Sequence, residues 1–204
     1  MDRNKTLFSI AVILIAGLLI FMFYSTVSIN RDITGLNIVK GVNPPRGNPN
    51  SSITIIEFSD FQCPNCYTGQ IVLDKLFEDY NGSIVSYYRN LPLTIHENSM
   101  IAALAAQAAG EQGKFWEYHD ILFDNQYELD KESLRKYAKE LGLNMTQFNL
   151  ALDSEKYKSD IDGDIQDAKA LGVRGTPTFF INGQKVEGAD EEKMREIIER
   201  EMGR

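Results

Sequence analysis

Cysteine is nearly missing from this sequence. Two stand in 204 residues, and they lie close together as Cys63 and Cys66. A framework of disulfides between distant segments is therefore excluded. Histidine is equally scarce, with His96 and His119 alone in the chain. Nothing spaces them as the second ligand pair that a tetrahedral zinc site would need beside one Cys-x-x-Cys. Positive charge is in deficit: 21 Lys and Arg against 29 Asp and Glu give a net charge of −8. No basic stripe exists to neutralise phosphates, so nucleic acid is not an expected partner. Low-complexity tracts and internal repeats are absent too. What remains is an ordinary globular composition, 43% hydrophobic and 25% charged. The chain beyond residue 52 is long enough for one domain with its own core.

One long apolar run is present, at the start. From Leu7 to Tyr24 eighteen residues pass without a charge, about 27 Å as a helix and close to the hydrocarbon thickness of a bilayer. The flank Ser25-Thr26-Val27-Ser28 is a poor small-x-small cleavage site, and no cysteine is there for lipidation. The run is read as an uncleaved transmembrane signal anchor, with a cleaved signal peptide or a buried core helix as the alternatives. Arg3 and Lys5 on the tail 1–6 would stay in the cytoplasm, which places everything after Tyr24 outside. Residues 25–52, rich in Pro, Gly and Asn toward their end, have no apolar period and are read as a flexible linker spanning roughly 30 Å.

The domain from 53 to 204 alternates in a readable way. Ile53 to Phe58 is a β-branched run and is predicted as a central strand. Helical spacing follows from Cys63 to Tyr80, then Asn81-Gly82 and a second strand over 83–91, which makes a parallel βαβ unit. Apolar faces around Leu104, Phe115 and Leu134 predict three helices; Asn144 with Gln147 suggests a capping box for a fourth, and Tyr157 to Leu171 marks a longer one. Thr178 to Val186 reads as a hairpin with an Asn-Gly turn, and Asp190-Glu191-Glu192 opens a last helix. The predicted class is α/β: βαβ, a block of helices at about 95–155, then ββα.

The chemistry is concentrated in Cys63-Pro64-Asn65-Cys66. A bridge across so short a loop restrains almost nothing in the unfolded chain, so stability is a poor reason for it. A dithiol at the mouth of a βα turn suits reversible oxidation instead. Cys63 would meet the N–H groups and dipole of a helix N-terminus, which favour thiolate. Pro64 suits the first turn, and Cys66 is placed to attack a mixed disulfide from inside. A metal site and a pair of inert thiols are the competing readings. Glu57, in a strand otherwise made of Ile and Phe, is either buried with a raised pKa or an acid reaching solvent at the strand end.

The segment Glu57 to Cys66, EFSDFQCPNC, resembles the active-site segment of the DsbA-like branch of the thioredoxin superfamily. Gly175-Thr176-Pro177-Thr178-Phe179-Phe180-Ile181-Asn182-Gly183 resembles that superfamily's cis-proline loop and following hairpin. Leu91-Pro92-Leu93 with His96, and Gly113 to His119, resemble the helical insertion of the branch. The resemblance covers about residues 52–203. It implies a thioredoxin core interrupted by helices, a redox-active disulfide Cys63–Cys66 in place of any other cofactor, and substrate proteins carrying thiols or disulfides. It also implies a redox partner, with a membrane protein among the candidates, in an extracytoplasmic space. By the same resemblance Glu57 passes protons to and from the inner cysteine. Pro177, in the cis form, would face the cysteine pair and leave Thr176 to present its N–H and C=O to an extended substrate; an ordinary strand-start proline is the alternative. Asn65 departs from the pattern, because the strongest oxidants of the family carry histidine there; an intermediate redox potential is expected. A non-catalytic protein- or metal-binding module on the same fold is the alternative function.

Other candidates are set aside. His96 and His119 read as structural and the helical aromatics as core. Asp160-Ile161-Asp162-Gly163-Asp164 has its glycine in the wrong place for a calcium loop. Asn50, Asn81 and Asn144 stand in glycosylation sequons.

Overall fold

The computed structural model describes residues 43–203. The apolar run 7–24 and the linker as far as residue 42 lie outside the described residues.

Five strands make one sheet: β1 (Arg46–Gly47), β2 (Ile53–Ser59), β3 (Ile84–Asn90), β4 (Thr178–Ile181) and β5 (Gln184–Glu187), in the order β1-β3-β2-β4-β5. β2 and β3 run parallel, and the other pairs are antiparallel. The parallel pair is joined by α1 (Pro64–Asp79), as a crossover requires. β4 and β5 form a hairpin whose turn, Asn182-Gly183, has positive φ at both residues, the backbone that an Asn-Gly hairpin turn favours. Between the two halves stand α2 (Ser99–Gly110), α3 (Phe115–Asp124), α4 (Lys131–Glu140), α5 (Met145–Asp153) and α6 (Lys158–Ala170), and α7 (Glu191–Glu201) closes the chain. This is an α/β thioredoxin-like core with a helical insertion.

Strand alternation sorts the side chains. Ile53 and Ile55 on one face of β2 pack with Val72, Leu73 and Leu76 of α1 and with Met194, Ile197 and Ile198 of α7. A second core lies among the inserted helices, where α2 is buried nearly all round by its alanines and packs with Phe115, Tyr118, Leu134 and Phe148. Phe61, Tyr88 and both cysteines belong to that second core, so the cysteine pair sits where the helical insertion meets the sheet.

Two expectations need correction. The linker does not extend to residue 52, because Arg46 and Gly47 pair with Ser86 and Val85 as an edge strand. Asn43 is buried, donating to the Tyr88 carbonyl at 3.0 Å and accepting from Gln107 Nε2 at 2.8 Å, and Trp116 Nε1 donates to the Pro44 carbonyl. The reason is steric. At Gly47, with φ +93°, a β-carbon would stand 2.6 Å from the Ile84 carbonyl oxygen, so glycine there reports a close backbone approach rather than slack. The capping box is only half made. Asn144 caps α5 by accepting from the Thr146 and Gln147 N–H groups, but its own N–H goes to Gln112 Oε1 at 2.8 Å instead of Gln147.

Candidate active site

The chain leaves β2 at Ser59 and is turned by Asp60. The Asp60 carboxylate accepts from the Gln62 and Leu93 N–H groups, each at 2.8 Å, and pairs with His96 Nδ1 at 2.8 Å. Gln62 Oε1 accepts from the Asn98 N–H at 2.8 Å. From the α3–α4 connection, Gln126 Nε2 donates to the carbonyls of Phe61 and Cys63 at 2.8 and 2.9 Å. The loop that delivers the first cysteine is therefore held from two directions by segments of the helical insertion.

Cys63 is the N-cap of α1, in extended backbone, and Pro64 opens the first turn, where its missing N–H costs no helical bond. The Cys63 S–H donates to the Thr176 carbonyl at 3.5 Å, and the Thr176–Pro177 peptide is cis. Thr176 lies ahead of β4, whose ladder begins at Thr178. α1 comes unusually close to this loop. A β-carbon at Gly69 would stand 3.1 Å from Phe179 Cζ and 3.3 Å from Pro177 Cγ. Cys63 and Cys66 from one end of the chain thus meet Thr176 and Pro177 from the other, while the Asn65 side chain points to solvent.

Both cysteines are free thiols, and they differ in access and acidity. Cys63 keeps 6% of its surface and Cys66 none. Packing against the Thr176 loop and the insertion core closes most of Cys63, though it remains the more accessible of the two. The Cys63 pKa is lowered from 9.0 to about 5, first by the Cys66 S–H directed at its sulfur and further by Thr176 and the N–H groups of Cys66 and Asn65, against the opposing effect of burial. Burial, and then the hydrogen bond given to Cys63, push the Cys66 thiol far up. Asp60 N–H stands 3.4 Å from the Cys66 sulfur as a donor.

Glu57 is 1% exposed, so the solvent-reaching alternative falls away. Gln70 Nε2 donates to its Oε1 at 2.6 Å. Desolvation by burial raises its pKa to about 7, with Ser59 and Gln70 opposing. Tyr88 stands opposite Glu57 in the β2–β3 register and stacks on Phe61 at 5.0 Å between ring centroids.

The thioredoxin family model matches residues 40–200. The chain belongs to the thioredoxin superfamily, on its DsbA-like branch. It is 28% identical to a thioredoxin-like oxidoreductase from Silicibacter pomeroyi, with a TM-score of 0.74 over 86% of this chain and 99% of that one. It is 25% identical to the thiol-disulfide exchange protein alpha-DsbA2 of Wolbachia pipientis, again with a TM-score of 0.74, over 86% and 96%. Among curated proteins it is 40% identical, over 144 residues, to a Na(+)/H(+) antiporter NhaA 3 of Salinispora tropica. That match takes in 70% of this chain but spans only 22% of the antiporter's length.

Within the thioredoxin frame, sequence reasoning missed Ser59, Asp60, Gln70, Tyr88 and Gln126, while His96, read as structural, pairs with Asp60 and steadies the loop. Strand alternation from Glu57 could have flagged Ser59, which shares its face. Asp60 with His96, and Gln126 with Cys63, are long-range pairs without a sequence signal. His119, read as structural, is indeed enclosed by the rings of Phe61, Tyr88, Phe115, Trp116 and Phe123.

Proposed function

We propose that this chain is an extracytoplasmic protein thiol–disulfide oxidoreductase, tethered by the apolar run Leu7–Tyr24, that exchanges disulfides with substrate proteins through Cys63 and Cys66. The observation that carries the reading is the pair of opposed thiols: an acidic Cys63 capping α1 beside the Thr176 carbonyl, and a buried, weakly acidic Cys66 behind it.

Cys63 acts as the nucleophile. As thiolate it attacks a substrate disulfide, forming a Cys63–substrate mixed disulfide and releasing one substrate sulfur as thiolate. Cys66 then loses its proton to Glu57 and attacks Cys63 Sγ. The Cys63–Cys66 bond forms, the Cys63–substrate bond breaks, and its electron pair leaves on the second substrate sulfur, which is protonated from solvent. Run backwards, the same steps oxidise a substrate dithiol. Thr176, with its backbone outside the β4 ladder, aligns the substrate as an added strand, and Pro177 packs that loop over the thiols. The charge-free run at the start supports the membrane tether, and the similar segment within proteins named as Na(+)/H(+) antiporters agrees with a membrane setting. A redox partner that resets the pair would share that setting.

Catalysed reduction or oxidation of a model protein in glutathione buffers tests the reading. The wild-type chain should accelerate exchange and Cys63→Ala should not; a wild-type chain no faster than buffer would make it a binding module.

A further inference from the structure

Beneath the cysteines, three polar side chains on one face of adjacent strands are buried together: Glu57 and Ser59 on β2 and Tyr88 on β3. The Ser59 and Tyr88 hydroxyls have no hydrogen-bond partner of good geometry, although each is cut off from solvent. Leaving a buried hydroxyl without a partner is costly, and two side by side beneath the cysteines call for a use. Ser59 Oγ faces Glu57, Cys66 and Tyr88. The Cys66 sulfur hangs over the next residue, 3.4 Å from the Asp60 N–H. Ser59 shares the Glu57 face of β2 and directly precedes Asp60, whose N–H reaches the Cys66 sulfur, so its hydroxyl neighbours both the thiol that must lose a proton and the carboxyl that must take it.

We propose that Ser59 is a further catalytic residue, whose hydroxyl relays the proton between Cys66 and Glu57. The inference rests on the oxidoreductase reading above. A hydroxyl suits the role because it accepts and donates at once. As Cys66 attacks the mixed disulfide, its S–H proton passes to Ser59 Oγ while the Ser59 proton passes to a Glu57 carboxylate oxygen. Cys66 and Cys63 end oxidised to the disulfide, the substrate ends reduced, Ser59 is unchanged and Glu57 carries the proton. Disulfide opening reverses each transfer. The titratable and charged groups acting on the relay are Cys63 and Cys66 from α1 and its cap, Asp60 from the loop, Tyr88 from β3, and Arg46 and Asp74, which oppose one another on Glu57.

Single-turnover kinetics separate the two steps: attack by Cys63 on a model disulfide, and resolution of the mixed disulfide by Cys66. Ser59→Ala should slow resolution between pH 6 and 8 by about tenfold or more, against the roughly 10²–10⁴-fold of general acid–base catalysis as a whole, and leave the Cys63 step unchanged. Ser59→Thr should restore the rate. With Glu57→Gln in place, Ser59→Ala should cost nothing further, because a relay without its acceptor is already broken. Resolution at the wild-type rate and pH profile in Ser59→Ala, or a multiplicative loss in the double variant, would overturn the relay while leaving the oxidoreductase reading intact. A wild-type chain that forms no mixed disulfide at all would remove both.

Discussion

Two buried polar clusters lie on neighbouring residues of the same strands, and they are built differently. Around Arg89 the guanidinium meets Asp164 and Asp167 at 2.6 Å each, and Asp164 also accepts from the Asn90 backbone and side chain at 2.8 and 3.1 Å. Both Arg89 and Asp164 are nearly sealed from water, and the Arg89 guanidinium lies 5.8 Å from the Phe58 ring. Around Glu57 the carboxyl accepts from Gln70 at 2.6 Å, and among the described residues the hydroxyls of Ser59 and Tyr88 find no partner of good geometry. Burial raises the pKa of both carboxyls, but in Asp164 the Arg89 cation and the two Asn90 donors oppose it. The first cluster fixes α6 to β3. The second leaves a carboxyl that burial brings to a pKa of about 7, on the strand that leads to the cysteine loop. On the proposed reading, the incompletely satisfied cluster is the one that serves the chemistry.

Removing one partner should expose the contrast most strongly at Asp164. Asp164→Ala leaves a buried guanidinium short of one carboxylate, and about 3–5 kcal/mol of stability should be lost. Urea unfolding measures it, while exchange by the protein that remains folded should stay at the wild-type rate. A loss under 1 kcal/mol would mean that this cluster is no more structural than the other.

Glu57→Gln should do the opposite. Burial raises the pKa of the folded carboxyl to about 7 from its ordinary 4.5, so between those pH values the folded state keeps a proton that the unfolded chain has released. Wild-type stability therefore falls as pH rises through that window, by about 3 kcal/mol in full. Glutamine escapes that loss: the variant should match wild type near pH 4 and exceed it by up to about 3 kcal/mol at pH 8, with slower resolution by Cys66. Urea midpoints at the two pH values decide it, and equal midpoints at pH 8 would show a carboxyl that is not strained by burial.

A smaller effect is expected at Asn65. With Asn65 between the cysteines, the couple should lie between thioredoxin (about −270 mV) and DsbA (about −120 mV). Asn65→His adds a cation near the Cys63 thiolate and should raise the potential by about 30 mV for each 1.4 kcal/mol gained, lowering the Cys63 pKa together with it. Glutathione equilibration and thiol alkylation against pH read the two quantities. A potential that moves while the pKa stands still would separate them.

The thioredoxin core was legible because its signals are local: β-branched runs, helical periods, an Asn-Gly turn and one cysteine pair in a chain that has no others. The strand Arg46–Gly47 was not, since the Pro-Gly-Asn composition that marks it also marks a coil, and only the approach to the Ile84 carbonyl explains the glycine. Cys63, Cys66 and Glu57 could be read from their neighbours in sequence. Gln126, and the pairing of His96 with Asp60, could not, because they reach the cysteine loop across 63 and 36 residues. Pairing at such a distance leaves no local trace.

The division of labour between the cysteines is tested most directly by trapping. Cys66→Ala and Cys63→Ala chains are allowed to react with substrate proteins, quenched with acid and alkylated, and resolved on non-reducing gels. Cys66→Ala should accumulate mixed disulfides through Cys63 that disappear on reduction, and Cys63→Ala should accumulate few or none. The reverse pattern, with adducts held by Cys66, would contradict the assignment of Cys63 as the acidic, accessible nucleophile.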